Sequence, residues 1–447
     1  MSVSSVVPAA RSRRRPARSA TLLSTASDEA STALLPALLS VTLGASPVAL
    51  GVVEGLASAA DGAARLGGGA LSEDPRRRRW ISAGSYAVMT VLTGLIAVAA
   101  TSVQVAALRA GTATARGLRS PQRYAAVPEH AGSAEYGRAF GLERGLHHLA
   151  AVGGPLLAFA ALAAVGVRGA LLISVVPGVV AVALGVRMLR ARPSAPPLPP
   201  SVPPSVPRLR VRAVYRGNLG RLMTGISLFE AVNFAAVLLI LRATTLLQRQ
   251  DVPFGAAAAA VLLYLFWRLA AAGAAPVCGR LVDRFGPVPV MAAGVAMLMA
   301  SYAGFAFAEG TVAQLVGCFV AAGAASGAIE AAEHVGVAQR APVDLRFSAF
   351  GALSAVRSFG RLTATVGATV VWTALGPQWG LLIAAPVMVT AVAVMAAHRG
   401  PGRGPDAARR RAAPAHPDVL VPSAALAGAV AATLVMGVVL ALGIVPG

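Results

Sequence analysis

The sequence predicts an all-α integral membrane protein: two six-helix bundles related by a pseudo-two-fold axis, followed by an extra C-terminal helix. Three observations predict this. Apolar runs near 20 residues recur along almost the whole chain, and a helix needs about that length to cross the hydrocarbon core. Charged residues make up only 13% of the 447, against about a quarter in a soluble domain. The arginines fall mostly between the apolar runs, on alternate connections, which is the bias that keeps positive residues cytoplasmic.

In chain order, residues 1–21 form a basic cytoplasmic tail with Arg11, Arg13, Arg14, Arg15 and Arg18; the stretch after it is too polar for the apolar region of a secretory signal. Spans are predicted near 22–43, 47–70, 81–101, 103–119, 138–164 and 169–188, which form a bundle over 22–189. The first span is the least apolar, because Asp28, Glu29, Ser31 and Thr32 lie near its start. Residues 190–217 are proline-rich and act as a semi-rigid cytoplasmic spacer. Spans near 219–243, 254–276, 288–308, 311–337, 347–373 and 378–397 form the second bundle, over 218–397. A basic link at 398–420 leads to a thirteenth apolar run near 421–444, read as a transmembrane helix within 421–447. Equal halves about a central linker suggest duplication, as in transporters built from parallel repeats.

Composition excludes several classes. The net charge is +21 and the chain has no lysine. In a soluble protein such a charge would suggest nucleic acid, but here the arginines serve topology, so no nucleic-acid partner is expected. No glycine-rich loop ends in Lys-Ser/Thr, which argues against direct ATP coupling. Cys278 and Cys318 suggest neither a disulfide nor a metal site. No nucleophile or acidic constellation of an enzyme accompanies the histidines, so no enzyme, cofactor or metal is expected.

The charged connections repeat. "GRLVDRFGP" (279–287) joins spans 8 and 9, and "GALSEDPRRRR" (69–79) joins spans 2 and 3. Both place Gly, a spaced Leu, an acid and then basic residues. Gly279, Leu281, Asp283, Arg284 and Gly286 resemble the cytoplasmic loop signature of the major facilitator superfamily. The first copy departs from it: Glu73 replaces aspartate, Asp74 arginine, and Arg76 the second glycine. "LGASPVALGVVEGLASA" (43–59), "GLRSP" (117–121), "GRAFGLERG" (137–145), "IEAAEH" (329–334) and "DLRFSAFG" (344–351) resemble segments of a bacterial, uncharacterised or efflux-type branch.

The resemblance implies a secondary active transporter working by alternating access in the bacterial plasma membrane, N-terminus cytoplasmic, multi-pass and monomeric. Its partners would be a small-molecule substrate, a proton or other coupling ion, and the lipid bilayer. Proton-coupled efflux is the expected function. Anion or solute uptake on the same fold is one alternative, and a non-transporting membrane sensor or assembly partner is another. The loops would latch the cytoplasmic side: Asp283 against the helix start near Gly137 and Arg138, and Gly69, Glu73, Asp74 and Arg77 against Arg346 and Phe347.

Charges inside the spans are costly, about 2.5–3.5 kcal/mol each at a helix centre, and so are candidates for proton coupling or for lining the substrate cavity. Glu54, Asp61 and Arg65 share a face of span 2, with Asp61 and Arg65 spaced to pair. Arg109 lies mid-span 4. Span 5 has a Gly137, Gly141, Gly145 stripe suited to close helix packing, with Glu143 and Arg144 between, then His147 and His148; His147 is the favoured titrating residue. In the second half, Glu230 and Asn233 lie one turn apart, and similar depth suggests that Glu230 pairs with Arg268. Glu330 or Glu333 is expected to pair with Arg357, with Arg361 one turn on. Fusion reporters test this topology: a phosphatase joined within 190–217 should be inactive, and one joined after Gly447 should be active on the far side.

Overall fold

The computed structural model describes residues 6–44, 47–72, 74–125, 127–128, 132–190, 211–234, 236–248 and 256–396. Glu73, the side chain of Glu54, the linker over 191–210 and the thirteenth run at 421–444 lie outside the described residues.

Among these residues the elements are all helices. The first half contains α1 (Val6–Ala37, continued by a π turn at Leu38–Thr42), α2 (Pro47–Leu71), α3 (Pro75–Val98), α4 (Ser102–Ala125) and α5 (Tyr136–Arg190). The second contains the short α6 (Val211–Val214), then α7 (Gly217–Glu230), α8 (Ala236–Leu247), α9 (Ala256–Phe285), α10 (Pro287–Ala306), α11 (Val312–Arg340), α12 (Arg346–Leu375), α13 (Pro377–Leu382) and α14 (Ala384–Ala396). Four of them, α2, α3, α10 and α13, begin on proline, whose missing N–H would have no partner in a first turn. Gly286 and Gly376, at φ of 88° and 94°, end α9 and α12 just before such prolines; glycine reaches that backbone without a Cβ clash.

Several elements depart from the sequence reading. The basic tail is helical from Val6 onward, as part of α1. "GRLVDRF" is the last turns of α9 rather than a loop, and the connection shrinks to Gly286. Spans 5 and 6, by contrast, fall as expected: two membrane-length stretches, Ser133–Leu162 and Ala164–Arg187, run along α5, with a non-helical break at Gly166 (φ 69°). Span 7 is interrupted after Glu230, because residues 231–234 leave the helix before α8. The "ARGLRSPQRY" stretch (115–124), which begins inside the fourth predicted span and runs past its end, is wholly helical as the end of α4, with Arg119 buried. Among the described residues, seven helical stretches are long and apolar enough to cross a membrane by length and composition, and α1, α2, α4 and α12 are not among them.

The halves meet through two crossings related by the repeat, α5 on α9 and α2 on α12. Glycine permits both. A Cβ at Gly137 or at Gly279 would overlap the other residue's carbonyl, one at Gly141 would lie 2.5 Å from the Ala275 carbonyl, and one at Gly145 would lie 2.8 Å from that of Ala272. At the other crossing a Cβ on Gly69 would lie 2.8 Å from the Phe347 carbonyl. Close backbone approach of this kind replaces the hydrophobic drive that lipid removes. Tyr124, Phe140, His334 and Phe350 fill the same end, with ring centroids 4.5–6.2 Å apart. Gly141→Val should therefore cost about 1–3 kcal/mol through overpacking, read as a lower unfolding temperature in detergent. Gly153→Val, where an added Cβ meets nothing within 4 Å, should have little effect.

Candidate functional site

A cavity of about 730 Å³ lies between the halves, lined from α1 to α5 and from α7 to α12. Its walls are organised by three groups of charge.

The first group is within the N-terminal half. Asp28 on α1 accepts from Arg109 Nη1 at 3.0 Å and Arg116 Nη1 at 2.5 Å. Asp61 on α2 accepts from Arg65 Nε at 2.6 Å and Arg116 Nε at 3.2 Å. Arg116 therefore ties α1, α2 and α4 together. Ser358 on α12 also donates to Asp61, at 3.0 Å, across the interface.

The second group is centred on Arg357 of α12. Its guanidinium contacts Glu330 closely and lies 3.2 Å from Glu230 and 3.8 Å from Glu333. Glu330 also reaches the other half, where Arg144 Nη1 is at 3.3 Å and His148 Nε2 at 3.1 Å, both on α5. Arg144 is held in turn by Glu143 at 3.1 Å and by the Tyr124 hydroxyl at 2.9 Å. Glu333 is fully buried, and neither carboxyl oxygen has a hydrogen-bond partner. Three carboxyls thus surround one guanidinium, an arrangement in which a proton can supply the balancing charge.

The third group is Arg268 on α9, stacked over Tyr264 and Trp267 at 5.3 and 5.1 Å. Its carboxylate neighbour, Glu29, is 3.8 Å away.

At the glycine end, Asp283 accepts the N–H of Gly137 at 2.6 Å and of Arg138 at 3.0 Å. These are unpaired donors of the first turn of α5, where the helix dipole favours an anion. Arg138 Nε stands 3.9 Å from the same carboxyl. In the first copy Asp74 pairs with Arg77 at 3.5 Å, and Arg78 stacks on the Phe347 ring at 5.0 Å. Arg284 lies over Phe285, and Arg346 opens α12.

The predicted residues therefore separate. Asp61 meets Arg65; Glu330 and Glu333 meet Arg357; Asn233 donates to Glu230 at 3.0 Å across the break that follows α7. The expected Glu230–Arg268 pair is not made. The break turns Glu230 toward Arg357, while Arg268 faces α1. His147 lines the cavity, but it is His148 that bonds Glu330. Arg109 is buried on Asp28 and Thr32, outside the cavity lining, and Glu143 holds Arg123 at 2.8 Å. Arg361 lines the cavity and donates to the Arg357 carbonyl at 3.1 Å. Arg116 and Arg119 go unpredicted as site residues, and their one signal is that α4 arginines spaced at three and four residues share a helix face; Asp28, Arg144 and His148 are visible as charges in their spans, but nothing local assigns them to the site.

Two helical halves about a charged cavity, joined by repeated crossings at one end, define the architecture of a membrane transporter. The chain belongs to the Major Facilitator Superfamily, whose family model matches residues 19–273 and 244–446. Its fold is similar to that of the E. coli fucose:proton symporter FucP (TM-score 0.67, 14% identity, 88% of this chain and 98% of that one). It is also similar to a bacterial homologue of the iron transporter ferroportin in an outward-facing state (0.66, 15%, 86% and 98%). A third similar structure is the human organic anion transporter MFSD10 (0.62, 12%, 85% and 99%). By sequence, no curated protein matches the chain.

Removing one partner of a buried ion pair costs about 3–5 kcal/mol. Arg357→Gln strands Glu230, Glu330 and Glu333 together, so a loss of that order is expected in detergent unfolding. A melting curve matching the parent's would show that the cluster does not depend on this guanidinium.

Proposed function

We propose that this protein is a proton-coupled secondary transporter of a small organic solute, multi-pass in the bacterial plasma membrane with its N-terminus in the cytoplasm. The glycine-lined end carrying Asp283 is then the cytoplasmic gate, held shut. The single observation behind the coupling is the position of Glu330. It is shared between Arg357 in its own half and Arg144 and His148 in the other. Opening the gated end separates α5 from α9 and α11, and so breaks the Glu330 bonds to α5. A proton on Glu330 removes the negative charge that holds the halves together. The proton gradient thereby biases the equilibrium between inward and outward states, because the ligand binds the two states differently.

Export is the direction that the sequence resemblance suggests. One observation favours uptake of an anion as a second reading: eight arginines but five carboxylates line the cavity.

The coupling can be tested without knowing the solute. Ser348, buried at the gated end, is replaced by Cys in a Cys278→Ser, Cys318→Ser background. Maleimide labelling in membranes, divided at each pH by the labelling of the same cysteine in unfolded protein to cancel the thiol's own ionisation, should then rise as pH falls, by up to about tenfold per unit for one proton taken up. Glu330→Gln should flatten the profile. A profile left unchanged by that substitution would remove Glu330 from the coupling.

A further inference from the structure

We infer that the solute is an organic anion with a planar ring, its charged group meeting Arg268 and its ring lying along Trp267 and Tyr264. This deepens the transport reading above and rests on it.

The charge decides the class. The cavity's carboxylates are largely engaged: Asp28, Asp61, Glu230 and Glu330 each have an arginine within 3.3 Å. An incoming cation would meet acceptors already taken and an excess of positive charge. The basic side is less satisfied. Arg119 is 8% exposed, its Nη1 is buried without a hydrogen-bond partner, its Nη2 makes long contacts to Ser24 Oγ at 3.4 Å and Met89 Sδ at 4.0 Å, and its guanidinium lies over the Tyr86 ring at 4.2 Å. Arg268 Nε is likewise buried without a partner; its guanidinium is hydrogen-bonded to the Tyr264 side chain, but the nearest carboxyl oxygen recorded for it is 3.8 Å away. A buried donor left unpaired costs the full desolvation of that group. An anionic oxygen would supply the missing acceptor, and a guanidinium fork suits a carboxylate, sulfonate or phosphate.

The wall around Arg268 decides the shape. Tyr264 and Trp267 stack at 5.0 Å and 26°, and the edge of Trp267 meets His148 at 6.3 Å. The Arg268 guanidinium lies over both aromatic rings. A flat apolar ring can extend this stack, since offset stacking adds to simple burial. A cavity of about 730 Å³ is in the range that encloses a drug-sized molecule.

Charge also sets the sign of the coupling. Glu330 faces Arg144 and His148 from α5, Arg357 from α12, Glu230 from α7 and Arg268 from α9, with Glu333 and His334 on its own helix. A proton taken up there makes the lining more positive, so proton and anion bind in support of each other, reciprocally, which is the co-binding of a symporter and goes with the anion-uptake reading above rather than with export.

The test uses purified full-length protein in detergent, with naphthalene-2-sulfonate as probe because its charge does not change with pH. Naphthalene-2-sulfonamide removes the charge, and methanesulfonate removes the ring. The sulfonate should raise the unfolding temperature and bind about tenfold or more tighter than either control, as expected for a hydrogen bond to a charged group. Arg268→Gln should remove the preference for sulfonate over sulfonamide. Trp267→Leu, which keeps the arginine, should remove the preference for sulfonate over methanesulfonate. Equal binding of sulfonate and sulfonamide, no binding of the sulfonate, or an unaltered preference in a folded Arg268→Gln protein overturns the inference. Affinity for the sulfonate should also rise as pH falls, and Glu330→Gln should abolish the rise. Charge-selective binding with no pH dependence would defeat the proton-coupling reading and leave the anion class standing.

Discussion

A guanidinium cannot remain inside an apolar bundle without acceptors, and this constraint organises the structure. Asp28 and Asp61 answer the arginines of α4 and α2; Glu230, Glu330 and Glu333 answer Arg357. Each set joins helices that lipid gives little reason to associate. Buried ion pairs add little to stability over an apolar core, but breaking one by removing a partner is costly. The pairs therefore dictate which helices sit beside each other, while close small-residue packing holds them there.

The pairs that cross between the halves connect this constraint to function. Glu330 to Arg144 and His148, Asp61 to Ser358, and Glu29 to Arg268 all span the interface. The glycine crossings close one end with backbone against backbone, and Asp283 caps α5 at its rim. Packed interfaces of this kind do not deform gradually. On the proposed reading, changing one charge at the interface alters the balance between two discrete arrangements of the halves.

Much of the fold was legible from local pattern. The span lengths, the equal halves and the repeated Gly-Leu-acid motif depend on hydrophobicity and short spacing. So do pairs within one helix, such as Asp61 with Arg65. Reading failed where hydropathy and location part company. Arg116, Arg119 and Arg123 looked like topological charges in a connection, yet the end of α4 points them into the cavity, with Arg116 neutralised by Asp28 and Asp61. Asp28 and Glu29 made the first span look weak for the same reason. His147 and His148 are adjacent in sequence, and only helix rotation against α11 decides which of them meets Glu330.

The sequence by itself therefore determined the class of fold and the residues that bear charge, because each follows from the transfer of local segments between water and lipid. Only the tertiary structure decided who pairs with whom. Glu230 reaches Arg357 rather than Arg268 because the chain breaks after α7, and Arg268 is left against two aromatic rings. Pairing between distant helices depends on their rotation and depth, and no local spacing encodes either.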